Sequence, residues 1–279
     1  MPHLLALVLI TLGAAAVNGA LGYGFSSITV PLALLFLTNR VLNPALVLIE
    51  VVLNGWALWV NRAAVPLVQS RVRWVVVGLM PGVIIGTLIV SRVHPGWLKL
   101  GTYAALLPLI LVQAAGLRRP VRNERAAGMA LGGGVGLLYA VTTISGPPLA
   151  VALNNQGFSK QEFRAALALV RLAEASMTAI AYAAAGLFIR ESFTLIPAIL
   201  PGVLVGVPLG AVLIRHLQPE TFRRICMSFD AWIVSFGLST LLRELHLVES
   251  SAAYCVMAAV VAIDAWLLYR FFTRSRTTH

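Results

Sequence analysis

The chain has 279 residues, of which 59% are hydrophobic and only 11% charged, and its mean hydropathy is +0.88. Soluble domains carry about 25% charged residues, so this chain has too little charge to cover a water-facing surface. Its net charge of +11 sits in short stretches between apolar segments, the pattern of topology determinants, which excludes a basic nucleic-acid face.

Apolar segments run over 4–38, 44–61, 74–91, 98–116, 126–155, 163–187, 194–214, 221–242 and 251–270. Crossing a hydrocarbon core about 30 Å thick takes about 20 residues of helix. Backbone facing lipid must satisfy its own hydrogen bonds, so these segments read as helices. The short alternating strands of a membrane barrel are absent from the sequence. The first segment has no Lys or Arg ahead of its apolar run and is expected to belong to the fold rather than to a cleaved signal.

Two segments are long for one span and short for two. Segment 4–38 is interrupted at Gly22-Tyr23-Gly24-Phe25-Ser26-Ser27, and segment 126–155 at Thr142-Thr143-Ile144-Ser145-Gly146-Pro147-Pro148. The helix after the first break is expected to begin near Ser26 and Ser27, which suit capping. The one after the second is expected to begin at Pro147-Pro148, because proline fits a first turn.

The two sides of the basic stretch RRPVRNER (118–125) resemble each other. GALGYGFSSITVPLALLFL from Gly19 aligns with GLLYAVTTISGPPLAVAL from Gly136, bringing Pro31 onto Pro148. PGVIIG (Pro81 to Gly86) then aligns with PGVLVG (Pro201 to Gly206). Repeats of this kind are characteristic of secondary transporters. The expected organisation is a first transmembrane repeat over 1–117, a basic cytoplasmic linker over 118–125, a second repeat over 126–243, and a C-terminal helix with a basic tail over 244–279.

The expected fold is therefore an all-α polytopic membrane protein of two inverted repeats. Each is a broken or re-entrant hairpin element plus three transmembrane helices, with one extra C-terminal helix. With the C-terminus in the cytoplasm, fifteen of the 21 Lys and Arg fall on that side and five outside, leaving Arg171 alone within a span.

A charge at mid-membrane costs about 2.5–3.5 kcal/mol on insertion scales, so each needs a reason. Glu50, Arg171, Glu174 and Asp230 lie well inside expected spans. Arg164, Arg171, Glu174, Thr178 and Tyr182 share one helical face, and Asn43, Glu50, Asn54 and Asn61 share another in the matching helix. Arg171 is expected to pair with Glu174 one turn on. For Arg171 and Glu174 two readings stand side by side, an internal ion pair that only orients helices and a functional role. Asp264, near Trp266, Tyr269 and Arg270, is expected at the membrane interface.

Broken helices present freed N–H groups and positive dipole ends, which suit an anion. Two breaks at matched repeat positions favour a substrate site over close packing alone. The candidate substrate-binding residues are Gly22, Tyr23, Gly24, Ser26, Ser27, Thr142, Thr143, Ser145, Gly146, Asn154 and Arg171. Glu50, Glu174 and Asp230 are the candidate coupling acids. His3, His94, His216, His246, His279, Cys226 and Cys255 lack metal-ligand spacing, so no metal and no cofactor are expected.

The glycine-rich break GALGYGFSSITVPL, its second copy GLLYAVTTISGPPLAVAL, the N-x-x-G-x-x-x-x-x-F-R-A stretch from Asn154 to Ala165 and the repeated PG-x-x-x-G resemble the sulfite exporter TauE/SafE family of membrane transporters. Tyr23, Phe25 and Ser26 depart from that family's more glycine-rich first break. The resemblance implies a multi-pass protein of the cell's inner or plasma membrane that moves sulfite, an organosulfonate or a related small anion, and no enzyme. The expectation is a secondary transporter, most simply an exporter, working by alternating access of two inverted halves, with a proton as candidate coupling ion. No G-x-x-x-x-G-K-[ST] loop occurs to drive it with ATP. The alternatives are an anion channel or a non-transporting assembly protein. Expected partners are the anion and the lipid bilayer, with a homodimer open and no nucleic acid.

Overall fold

The computed structural model describes residues 2–114, 124–154, 156–216, 219–248 and 250–276, so most of the basic stretch 118–125 lies outside the described residues. Eleven α-helices follow in order: α1 (Pro2–Leu21), α2 (Phe25–Ala33), α3 (Asn39–Val60), α4 (Val65–Arg92), α5 (Pro95–Ala114), α6 (Glu124–Thr142), α7 (Gly146–Asn154), α8 (Lys160–Ala184), α9 (Arg190–Leu213), α10 (Pro219–Glu244) and α11 (Cys255–Arg276). Among the described residues there is no strand. Among the described residues, seven helices are long and apolar enough to cross a membrane.

Each interrupted segment is a long helix followed by a half-helix. α2 and α7 have nine residues each, about 14 Å at 1.5 Å per residue, less than half a hydrocarbon core. Helix ends elsewhere carry the expected local chemistry. α8 begins with a capping box, in which Ser159 N donates to Glu162 Oε2 (2.8 Å) and Glu162 N donates to Ser159 Oγ (3.3 Å). It ends on Gly186 (φ 66°), with Leu187 N donating to Tyr182 O and Gly186 N to Ala183 O, a Schellman closure. Arg40 donates to the carbonyls of Val90, Ser91 and Val93 and so closes the C-terminus of α4.

The halves interlock. α4 of the first half packs along α6 of the second, and α9 of the second packs along α1 of the first. α3 and α8 meet at the centre, as do α5 and α10, while α2 rests on α10 and α7 on α5. Exchanging the first five helices with the next five maps this set of pairs onto itself.

The repeated PG-x-x-x-G motif lies at the two long crossings. A Cβ at Gly86 would sit 2.8 Å from the Leu137 carbonyl oxygen of α6, and one at Gly206 2.5 Å from that of Leu12 in α1. Within a bilayer there is no water to drive helices together, so close backbone approach over small residues carries the association.

Asp264, expected in an interfacial role beside Trp266 and Tyr269, is drawn into an internal ion pair instead. It is fully buried, and its Oδ1 accepts from Arg224 Nη2 at 2.7 Å, pinning α11 to α10. Arg224 is itself only 4% exposed, so Arg171 is not the one cation within the protein. The packing of α11 turns Asp264 inward, which its neighbours Trp266 and Tyr269 (54% and 70% exposed) do not reveal.

Candidate anion site between the two breaks

The first break turns on two left-handed glycines, Gly22 (φ 85°) and Gly24 (φ 111°). Gly24 precedes α2 without a side-chain cap. Ser26 and Ser27 therefore lie inside the first turn rather than capping it, and Ser26 Oγ instead donates to Glu50 Oε1 in α3. Ser27 is buried and makes no side-chain hydrogen bond among the described residues.

The second break has no glycine at its left-handed position. Thr143 holds φ 56°, a strained conformation for a β-branched side chain that costs about 1–3 kcal/mol. The turn is tied locally: Thr142 Oγ1 donates to Leu138 O and accepts from Ile144 N, and Thr143 N donates to Tyr139 O. α7 begins at Gly146 with Pro147 in its first turn, as expected. Those prolines have no N–H, so α7 offers fewer free donors than the first turn of α2.

Tyr23 brings the breaks together. A Cβ at Gly146 would lie 3.0 Å from the Tyr23 Cβ, so glycine is what lets the second break approach the first. Breaking α6 also frees carbonyls near its end, and polar residues of α3 and α8 take them up. Asn43 Nδ2 donates to Val141 O at 2.7 Å, and the Tyr182 hydroxyl donates to Ala140 O. The outer members of both polar faces thus serve the backbone.

Their centres meet where α3 crosses α8. Arg171 Nη2 donates to Glu50 Oε1 at 2.8 Å. Tyr139 OH donates to Glu50 Oε2 at 2.8 Å. Arg171 is 2% exposed and Glu50 and Glu174 are fully buried. The expected partner of Arg171 was Glu174, and the structure corrects this. Glu174 Oε2 instead accepts from Ser145 Oγ, because the crossing brings Glu50 into line with the guanidinium while Glu174 faces the second break. Each half thus sends a serine from its break to an acid in its next long helix.

The cluster has unused capacity. Arg171 Nε and Nη1, Glu174 Oε1, Asn54 Nδ2 and Thr178 Oγ1 are buried without a hydrogen-bond partner. A guanidinium with one nitrogen engaged keeps a fork of donors matching the paired oxygens of a sulfonate, sulfite or carboxylate. Asp230 is buried on α10, but no hydrogen bond or ion pair joins it to this cluster among the described residues. Asn154 closes α7, and its side chain lies outside the described residues. The sequence missed Tyr139: an isolated tyrosine before the second break gives no signal until α6 is placed beside α3. Among the described residues, no group of three or more His, Cys, Asp or Glu is arranged to hold a metal.

An all-helical multi-pass membrane protein with a charged centre between two broken helices defines the class. The sulfite exporter TauE/SafE family model matches residues 7–235, and the chain belongs to that family. Its coarse function is accordingly membrane transport of the sulfite-exporter type, and α11 lies beyond the matched region. No curated protein and no solved structure matches the chain.

Proposed function

We propose that the protein is a secondary transporter of a small sulfur-containing or carboxylate anion, which binds Arg171 between the two breaks. The observation that carries this reading is the pair of unpartnered nitrogens, Nε and Nη1, on an arginine that is 2% exposed. Arg224 also leaves Nε and Nη1 unpartnered, so what sets Arg171 apart is where its donors lie: between the two breaks, in one cluster with the unpartnered Glu174 Oε1.

Charge balance assigns the acids different tasks. One guanidinium balances one carboxylate, and Glu50 is held by Arg171, Tyr139 and Ser26 together. Glu50 is then the fixed counter-ion. Glu174 is the acid left over, and with both acids ionised the centre carries net negative charge and repels an anion. A proton on Glu174 removes that repulsion, so anion and proton travel together. The packing pairs that survive exchange of the halves support alternating access of two inverted repeats around this centre.

The test is uptake into proteoliposomes, with sulfite, organosulfonates, thiosulfate and dicarboxylates as candidates. Saturable flux with counterflow is expected, and Arg171→Lys is expected to keep the fold while raising the half-saturating concentration at least tenfold. Flux without saturation or counterflow makes the protein a channel. An Arg171→Lys variant with unchanged affinity removes the anion site from Arg171.

A further inference from the structure

A cavity of about 690 Å³ opens between α1, α3, α8 and α9. None of Glu50, Arg171 and Glu174 lines it. Its wall along α3 runs from Leu48 to Val60 and along α9 from Ile196 to Ala211. Thirteen residues of helix rise about 20 Å, somewhat more than one leaflet of a hydrocarbon core about 30 Å thick. A sulfite-sized ion needs nothing of that length.

The chemistry of the wall changes along it. Most of its lining is apolar, and Val52, Trp56 and Leu204 are 69%, 59% and 66% exposed, so the cavity is open sideways toward lipid. Its polar lining gathers where α1 ends, α3 ends and α8 begins: Asn18, Asn61 and Arg164. Among the described residues Arg164 is the one charged side chain in the lining, and its Nη2 donates to Ala20 O at 3.3 Å. Asn18 is buried at this end. Trp56 and Trp59 lie beside this end with ring centroids 5.1 Å apart and planes tilted by 33°, and the Arg62 guanidinium sits 4.9 Å over Trp59. Aromatic rings with arginine at the end of a span mark the headgroup level of a bilayer.

We propose that this cavity is a binding site for one acidic phospholipid, an acyl chain along α3 and α9 and its phosphate at Arg164. One cation at headgroup depth, no acid in the wall, and an apolar slot about a leaflet long select an anionic lipid over a zwitterionic one. The proposal stands apart from the anion reading of Arg171. Its site bridges α3 and α8 of the central crossing with α1 and α9, so an occupied slot fastens the two halves at their lipid-facing seam.

The test uses full-length protein in phosphatidylcholine vesicles doped with either dibrominated phosphatidylglycerol or the same fraction of dibrominated phosphatidylcholine. Trp56 emission is taken as the difference between wild type and Trp56→Phe. The expected result is at least threefold stronger quenching of Trp56 by the brominated phosphatidylglycerol, reversed by unlabelled phosphatidylglycerol. Arg164→Gln should equalise the two lipids while Arg164→Lys keeps the preference. Equal quenching in the wild type overturns the proposal, as does a preference that Arg164→Gln leaves intact. Efficient disulfide formation between two copies of Trp56→Cys also overturns it, assigning the face to a second copy of the chain. Should Arg164→Gln fail to fold, the wild-type comparison of the two lipids decides alone.

Discussion

Arg171 and Glu50 come from helices 121 residues apart, and removing either leaves a buried charge unpaired. Arg171→Ala is expected to destabilise the protein by about 3–5 kcal/mol, with Arg171→Ala plus Glu50→Ala restoring much of it. Thermal melting of the four members of that cycle measures the coupling. If Glu174→Ala restores stability to Arg171→Ala and Glu50→Ala does not, the pairing seen here is wrong. Glu174→Gln is isosteric and still accepts from Ser145, so folding should survive it. For the wild type, proton-linked binding means that anion affinity rises as pH falls through the titration of Glu174. In Glu174→Gln the amide is neutral at every pH, and the affinity profile should be flat. A wild-type affinity that does not change with pH removes the proton from the proposed mechanism.

At the scale of elements, the long crossings rest on glycine and the outer helix on one ion pair. Gly86→Leu and Gly206→Leu place a branched side chain where backbone oxygens lie within 3 Å of a Cβ. Each is expected to lower melting temperature by several degrees or to abolish purification as a monodisperse species, whereas Gly101→Leu, with open space around it, should do neither. Asp264→Asn keeps the shape but removes the charge facing Arg224, and a cost of about 3–5 kcal/mol is expected on melting. Asp264→Leu with Arg224→Leu should recover most of it. The half-helices α2 and α7 are too short and too proline-bearing to persist alone, and their order comes from burial against α10, α5 and the central helices.

For the whole molecule, reporter fusions or cysteine labelling should place residues 62–73, 118–125 and 215–224 in the cytoplasm, and 188–193 and 243–250 outside. The excess of Lys and Arg on the first set motivates this assignment. If 118–125 and 215–224 lie on opposite faces, the inverted arrangement fails, although the interlocked packing of the halves stands.

Much of this architecture was legible without coordinates, for reasons that can be named. Apolar length and charge depletion dictate membrane helices, because nothing else satisfies the backbone in lipid. Gly22, Gly24, Pro147 and Pro148 announce the breaks, because they cannot continue a helix undisturbed. Period-3.6 spacing put Glu50 with Asn54, and Arg171 with Glu174 and Thr178, each on one polar face. What spacing could not supply is which face meets which. Glu174 lies closer to Arg171 in sequence than Glu50 does, yet the crossing of α3 and α8 hands the guanidinium to Glu50 and leaves Glu174 to Ser145. Asp264 likewise read as a membrane-interface residue, and its ion pair with Arg224 emerges only from the packing of α11 on α10. Local pattern determines which residues share a helix face and which segments are apolar enough to span. Rotation and crossing are decided by glycine contacts and by carbonyls freed at the breaks, which belong to helices distant in sequence, so the partner of each buried charge was settled only by the tertiary structure.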